Sequence, residues 1–247
     1  MRHQTPADWA ILGLDDPIAS GLAGECRGRL SFFSLRQQVE QGAYLSDDAV
    51  VLRHDGVEHV VCRTAEIRLL GEHNRLNVLA SVAIAAAAGV GPEAIARGVT
   101  GFAGVEHRLE PVRTIDGVTF YNDSIATAPE RACAALRSFE RPIVLIAGGR
   151  SKHLPLGELA RLVVERCQAL VTIGEMAEEI EQAVRACAGS DRLVVRRAGD
   201  LEAASRLALE LARPGDVVLL SPAGTSFDAF RDFEERGRRF KEIVLGL

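Results

Sequence analysis

The sequence predicts an α/β protein whose second half is a doubly wound, Rossmann-like domain, and three observations carry that expectation. From about residue 108, short apolar runs alternate regularly with longer amphipathic stretches. The short runs are continuously apolar, as strands covered on both faces of a parallel sheet are. They also end in glycine or small polar residues, and the crevice beyond the carboxyl ends of such strands is where this architecture binds ligands. In chain order, Asp116-Gly117 joins residues 110–115 to 118–121 in a hairpin. Strands follow at 142–147, 169–173, 193–195 and 216–220, and helices at 129–138, 156–166, 175–186, 201–212 and 227–244.

The first hundred residues have a different texture. Short β-rich runs occur at 9–12, 30–33, 50–52 and 57–61, with Asp55-Gly56 between the last two. Asp-Gly at a two-residue connection marks a hairpin because both residues tolerate positive φ. Two helical patterns follow, at 74–88 and 92–99, and Pro92 suits a first helical position, where no amide donor is needed. The Gly-containing stretch 101–107 then separates a first domain, 1–107, from a second, 108–247.

Composition narrows the function. Hydrophobic residues make up 47% and charged residues 26%, ordinary for a soluble globular chain with a real core. A net charge of -5 argues against nucleic acid or an anionic membrane as partner. No apolar run is long enough to span a bilayer, and Met1-Arg2-His3-Gln4 does not open a signal peptide. Cysteines at 26, 62, 133, 167 and 187 form no CxxC pair or zinc-spaced cluster, so no metal site is expected and reduced thiols in a cytoplasmic protein are.

Four segments bring chemistry to the expected carboxyl edge: Tyr121-Asn122-Asp123-Ser124, Ala147-Gly148-Gly149-Arg150-Ser151-Lys152, Gly174-Glu175 and Ser221-Pro222-Ala223-Gly224-Thr225-Ser226. Each also has a plain structural reading. Asp123 with Ser124, and Thr225 with Ser226, would serve as helix caps. Gly148-Gly149 would be a tight turn, and Lys152 a solvated lysine. Together, however, they offer hydroxyls, a cation and helix N-termini at one edge, which suits a small anionic ligand. In the first half, Asn74 and Asn77 share a helix face and carry amides able to read a heterocycle's donors and acceptors, unless Asn74 is only a cap. Arg108, at the junction, either reaches a phosphate or bridges the domains. No GxxxxGK[ST], GxSxG or HExxH occurs.

These residues resemble a known family. Gly71-Glu72-His73-Asn74-Arg75-Leu76-Asn77 resembles the G-x-H-N-x-x-N segment of the Mur ligases, and Gly104-Val105-Glu106-His107-Arg108-Leu109-Glu110 their G-x-x-H-R-x-E junction. Asn122-Asp123-Ser124-Ile125-Ala126-Thr127 is similar to N-D-S-K-A-T, and Gly148-Gly149-Arg150-Ser151-Lys152 to G-G-x-x-K. Residues 221–230 look like the S-P-A-x-x-S-x-D-x-F of the D-glutamate-adding branch, continued by Phe233-Glu234-Glu235-Arg236-Gly237. Leu12-Gly13-Leu14-Asp15-Asp16 resembles a strand end of the central ATPase domain, so the likeness runs nearly the full chain.

The resemblance implies an ATP-dependent ligase of peptidoglycan synthesis, serving cell-wall biogenesis, cell shape and division. ATP with Mg²⁺ would activate the carboxylate of UDP-N-acetylmuramoyl-L-alanine as an acyl phosphate, and glutamate's amine would attack it. Residues 1–107 would be the C-terminal part of the central ATP-binding domain, and 108–247 the glutamate-binding domain. Asn74 and Asn77 would contact the base, Arg108 the phosphates as the catalytic residue, and Asp123 the ribose. Thr127, Lys152, Ser226, Phe227 and Phe233 would form the glutamate pocket. Ile125 departs from the family lysine, and Arg150 offers a replacement cation. The phosphate loop, metal ligands and UDP-binding domain have no counterpart, so the 247 residues are expected to be inactive alone, a preceding segment or a separate chain supplying the rest. A non-catalytic glutamate- or nucleotide-binding module, and a relative adding L-glutamate, remain as alternatives.

Overall fold

The alternation of apolar runs and amphipathic helices resolves into two separate sheets in the computed structural model, which describes residues 3–247. Met1 and Arg2, which open the segment tested for a signal peptide, lie outside the described residues. The chain divides into one unit ending at Gly104 and a second, Val105–Leu247.

The first unit runs β1 (Trp9–Gly13), α1 (Pro17–Gly21), β2 (Arg29–Ser34), β3 (Gly42–Ser46), β4 (Ala49–His54), β5 (Val57–Arg63), α2 (Glu72–Ala87) and α3 (Pro92–Gly101). Its strands pair in chain order, parallel from β1 to β3 and antiparallel from β3 to β5. The Asp55-Gly56 turn forms as expected, both residues having positive φ (49° and 78°). Strand β3 was not expected from sequence, because Gly42-Ala43-Tyr44 carries no alternation. Gly42 is required there: at φ 125° a Cβ would overlap the Phe32 carbonyl oxygen. Helix α2 begins two residues before the expected 74, with Gly71 as its cap, so Asn74 lies inside the first turn. Its small apolar face (Val78, Leu79, Val82, Ala83, Ala86) packs on Val50, Leu52 and Val61.

The second unit runs β6 (Glu110–Ile115), β7 (Val118–Asn122), α4 (Pro129–Leu136), β8 (Ile143–Gly148), α5 (Gly157–Arg166), β9 (Cys167–Ile173), α6 (Ala177–Arg185), β10 (Val194–Arg197), α7 (Leu201–Leu211), β11 (Val217–Ala223) and α8 (Phe233–Gly246). The sheet order is β10-β9-β8-β11-β7-β6, parallel throughout except for the β6–β7 hairpin at one edge. Alternate residues of the central strands (Val144, Ile146, Val218, Leu220, Val171) pack against Leu201, Ala204 and Ala208 of α7 and Phe240, Ile243 and Val244 of α8. The intervening Ile143, Leu145, Leu170 and Leu219 are equally buried, and α4, α5 and α6 pack side by side over the sheet. Burial on both faces is why these strands read as continuous apolar runs.

Helix α8 starts six residues later than the sequence suggested. Asp232 caps it, its carboxylate accepting from the Glu235 amide at 2.7 Å. Residues 227–232 instead fold back on the Ser226 carbonyl, which accepts from the Ala229 and Phe230 amides at 3.1 and 2.8 Å. A side-chain cap has outcompeted helical propensity.

The last crossover inserts β11 between β8 and β7, so the chain leaves β8 toward β9 but leaves β11 toward α8, which packs on β6 and β7. That reversal, between β8 and β11, is the kind of switch point at which open α/β sheets bind ligands. Among the described residues no helix is long and apolar enough to cross a membrane.

The close approach of β8 and β9 depends on Gly148, whose φ is 137° and where a Cβ would overlap the Ile173 carbonyl oxygen. Gly148→Ala should therefore cost at least ~3 kcal/mol of stability, combining backbone strain with a steric clash. Urea unfolding checks this, and a variant within about 1 kcal/mol of the parent would show that the strands can separate freely.

Candidate functional site

Four loops meet at the carboxyl edge of the second sheet, and backbone hydrogen bonds fix their spacing. The Ala223 amide donates to the Ala126 carbonyl at 2.9 Å, tying the β11 end to the loop after β7. Arg150 and Thr225 exchange amide–carbonyl bonds of 2.9 Å in both directions, tying the loop after β8 to the loop after β11. The loop after β9 joins through Met176, whose amide donates to the Gly149 carbonyl at 2.7 Å, and through Glu175, whose amide donates to Asp228 Oδ2 at 3.3 Å. Gly149 and Gly174 both have positive φ, and Cβ atoms there would overlap the Thr225 carbonyl oxygen and the Asp228 carboxylate. The glycines are demanded by how closely these loops approach one another.

On this frame Lys152 Nζ donates to Thr127 Oγ1 at 3.2 Å, so two of the expected pocket residues are neighbours. Lys152 is exposed, and among the described residues it makes no ion pair. The chain has only two lysines. The other, Lys241, is held by Glu110 at 2.6 Å and Glu106 at 3.2 Å. Lys152 thus keeps its charge available for an incoming anion. Ser226 is buried beside the Arg150–Thr225 bridge, while Phe227 is exposed. Phe233, at the start of α8, is half-buried and packs edge-on against His107 with ring centroids 6.2 Å apart. Arg150 pairs bidentately with Glu175 at 2.9 and 3.1 Å, so its guanidinium is committed to that carboxylate and does not stand in for a lysine at Ile125.

Asp123 follows β7 and is 4% exposed. Its carboxylate accepts from Ser221 Oγ at 2.7 Å and from the Leu109 amide at 3.2 Å. Burial dominates these bonds and pushes its pKa up to about 7. Two of its roughly four acceptor positions remain. Arg108 is exposed on a sharp turn whose flanking residues, His107 and Leu109, both have positive φ (64° and 45°). In the first unit, Asn74 is buried and donates to the Leu70 carbonyl at 2.7 Å, and the exposed Asn77 donates to Asn74 Oδ1 at 3.3 Å. Asn77 presents the outward amide, and Asn74 anchors it.

Two groups that organise this edge, His107 and Arg236, stand in the sequence motifs above without a role assigned to them. His107 is buried, with Nδ1 accepting from the Asn122 amide at 2.9 Å, and a side chain at Gly237 would collide with its ring. Arg236 is 1% exposed, and its guanidinium bonds the Ser124 hydroxyl and carbonyl, each at 2.9 Å, and the Gly224 carbonyl at 3.3 Å. Burial pushes its pKa down to about 10. A signal was available: Arg236 falls on the same helical stripe as Phe240, Ile243 and Val244, a position that otherwise holds core residues.

Comparison with known proteins is consistent across the chain. Residues 107–224 match the family model of the Mur ligase glutamate ligase domain. The whole chain is 49% identical to the UDP-N-acetylmuramoylalanine--D-glutamate ligase of Symbiobacterium thermophilum, and 99% of it is 45% identical to that of Pelotomaculum thermopropionicum. It spans 54% and 53% of those relatives, about half their length. Among solved structures it is similar to MurF from Acinetobacter baumannii (TM-score 0.66, 18% identity, 98% of this chain and 53% of that one). A second is the Mycobacterium tuberculosis folylpolyglutamate synthase complexed with ADP (TM-score 0.64, 17% identity, 95% and 55%). At such identities the structural likeness speaks for the fold.

Asp123 generates a test of this geometry. An unfolded aspartate ionises near 3.8, whereas the folded one holds its proton to about 7. Between those values the folded chain carries the extra proton, so stability falls as pH rises, by up to ~1.4 kcal/mol per unit. Asp123→Asn stays neutral and can keep both hydrogen bonds, so the parent should lose ground to it from pH 3.8 to 7. Urea midpoints of the two proteins measured across that window decide the matter. A constant difference would mean that Asp123 is ionised throughout.

Proposed function

We propose, on the premise that this chain belongs with the Mur ligases, whose glutamate ligase domain it carries at residues 107–224, that it is part of an ATP-dependent ligase joining D-glutamate to UDP-N-acetylmuramoyl-L-alanine. The observation that carries this reading is the unpaired Lys152 ammonium bonded to Thr127 at the loop junction. A dicarboxylate amino acid needs a cation and hydroxyl donors at fixed spacing, and this edge has both.

In this reading Lys152 pairs with a glutamate carboxylate while Thr127 and Ser226 donate hydroxyls to its oxygens. Phe227 and Phe233 close the pocket with apolar surface, Phe233 braced by His107. The work of these residues is positioning: the amine is held toward the acyl phosphate, which converts an encounter into an effectively unimolecular attack. Arg108, presented on its strained turn, meets the phosphates, and Asp123 offers its spare acceptors to a ribose hydroxyl. Asn77, anchored by Asn74, reads the base, and we take the first unit as part of an ATP-binding domain. The sequence holds no GxxxxGK[ST] cradle for the β- and γ-phosphates. Mg²⁺ neutralises phosphate charge in such reactions. Among the described residues no cluster of three His, Cys, Asp or Glu gathers to hold it, and we assign no residue of this chain to it. Nucleotide substrates place the reaction in the cytoplasm, which the five free cysteines suit.

Calorimetric titration of the protein with D-glutamate tests the reading. Lys152→Ala should weaken binding, or raise the glutamate KM of the full-length ligase, by roughly 10- to 100-fold. An unchanged constant would remove Lys152 from the pocket. Arg108→Ala, by contrast, should lower kcat of the full-length ligase more than it changes the glutamate KM. Equal turnover would leave Arg108 outside the chemistry.

A further inference from the structure

Arg236 is the most buried cation in the second unit, and nothing in the reaction as described uses it. No carboxylate contacts it: its partners are the Ser124 hydroxyl, the Ser124 carbonyl and the Gly224 carbonyl. A guanidinium taken out of water is costly unless it is paired, and an apolar side chain of similar size would suit the α8 stripe at lower cost. The bonds it makes are specific, however. Ser124 lies three residues before Thr127, on the loop after β7. Gly224 lies two residues before Ser226, on the loop after β11. Both hydroxyls belong to the glutamate pocket read above. Gly149, on the third loop, packs so closely that a Cβ there would come to 3.1 Å from Arg236 Nη1. Ser124 extends the linkage, because its hydroxyl donates to the Phe233 carbonyl at 2.8 Å. Arg236 therefore touches or borders all three loops that carry pocket residues.

We propose that Arg236 is a positioning residue for the amino-acid substrate: its planar fork sets the separation of the Thr127 and Ser226 loops. The proposal rests on the glutamate reading and names a residue that acts through others, not one that touches substrate. The fork matters for the spacing, because a lysine at this position would supply the charge as a point without the planar spread of donors that spans the Ser124 and Gly224 carbonyls. Charge and geometry are thus separable by substitution.

The test is steady-state kinetics of the full-length ligase carrying Arg236→Met, Arg236→Lys or Ser124→Ala, each first checked for folding by circular dichroism and a thermal melt. Arg236→Met should raise the glutamate KM by about tenfold or more while the ATP KM changes by less than about threefold, since misplaced loops weaken one subsite selectively. Arg236→Lys should recover part of that loss, as a purely space-filling role would not. Ser124→Ala keeps the charge, removes one arm of the clamp, and should raise the glutamate KM by a smaller factor. It keeps the question open to measurement where Arg236→Met does not fold. Overturning results are a folded Arg236→Met with an unchanged glutamate KM, both Michaelis constants rising together in every variant, or, where Arg236→Met does not fold, an unchanged glutamate KM in Ser124→Ala. If the parent enzyme itself shows no dependence on glutamate, the reading of the pocket has failed, and this assignment falls with it.

Discussion

The carboxyl edge of the second sheet is organised around a guanidinium held among uncharged oxygens. Arg236 enters from α8, a helix whose other inward residues are Phe240, Ile243 and Val244, and ends against the Ser124 and Gly224 carbonyls. Much around it follows from that placement. Gly149, on one of the loops beside it, has no room for a side chain, since a Cβ there would overlap the Thr225 carbonyl oxygen and come to 3.1 Å from Arg236 Nη1. The neighbouring Asp123 is also buried, and burial pushes its pKa up to about 7 even though Ser221 and the Leu109 amide bond it. Arg236 and Lys152 both lack an ion-pair partner among the described residues, while Arg150 and Lys241 are satisfied by Glu175, Glu106 and Glu110. An exposed lysine without an ion-pair partner among the described residues is suited to an anionic small molecule.

The parallel sheet was legible because burial on both faces writes an unmistakable pattern. The stretches Ile143–Ala147 and Val217–Leu220 are continuously apolar, and Asp-Gly marked both hairpins. Strand β3 was hidden because Gly42-Ala43-Tyr44 owes its conformation to the strands beside it and not to its own residues. The start of α8 was misplaced because the decision lay in one carboxylate, Asp232, accepting a bond that propensity does not encode. Within the site, Thr127 and Lys152 were each ambiguous alone. What joins them is a 3.2 Å bond across residues far apart in sequence, which no local pattern displays. Arg236 was passed over for the opposite reason, since an arginine in a charged segment reads as solvated until its helical face is considered.

The first unit obeys a simpler logic. A five-stranded sheet packs on one alanine-rich helix, and the start of that helix presents Asn77 outward while Asn74 is spent on the Leu70 carbonyl. The division of labour between the two amides explains why a pair three residues apart is more useful than either alone: one orients, and the other remains free to recognise. The second unit repeats the device at larger scale, with His107 bracing Phe233 and Arg236 bracing the loops of Thr127 and Ser226. Buried polar residues fix geometry in both units.

The central claim is that the glutamate site lies at this loop junction. The most direct measurement is an amide nitrogen–proton chemical-shift titration of the protein with D-glutamate. The account predicts saturable shifts at Thr127, Lys152 and Thr225–Ser226 with a common dissociation constant, while β10, at the far edge of the sheet, stays still. Shifts confined to other surfaces, or none at concentrations that saturate the ligase, would contradict it.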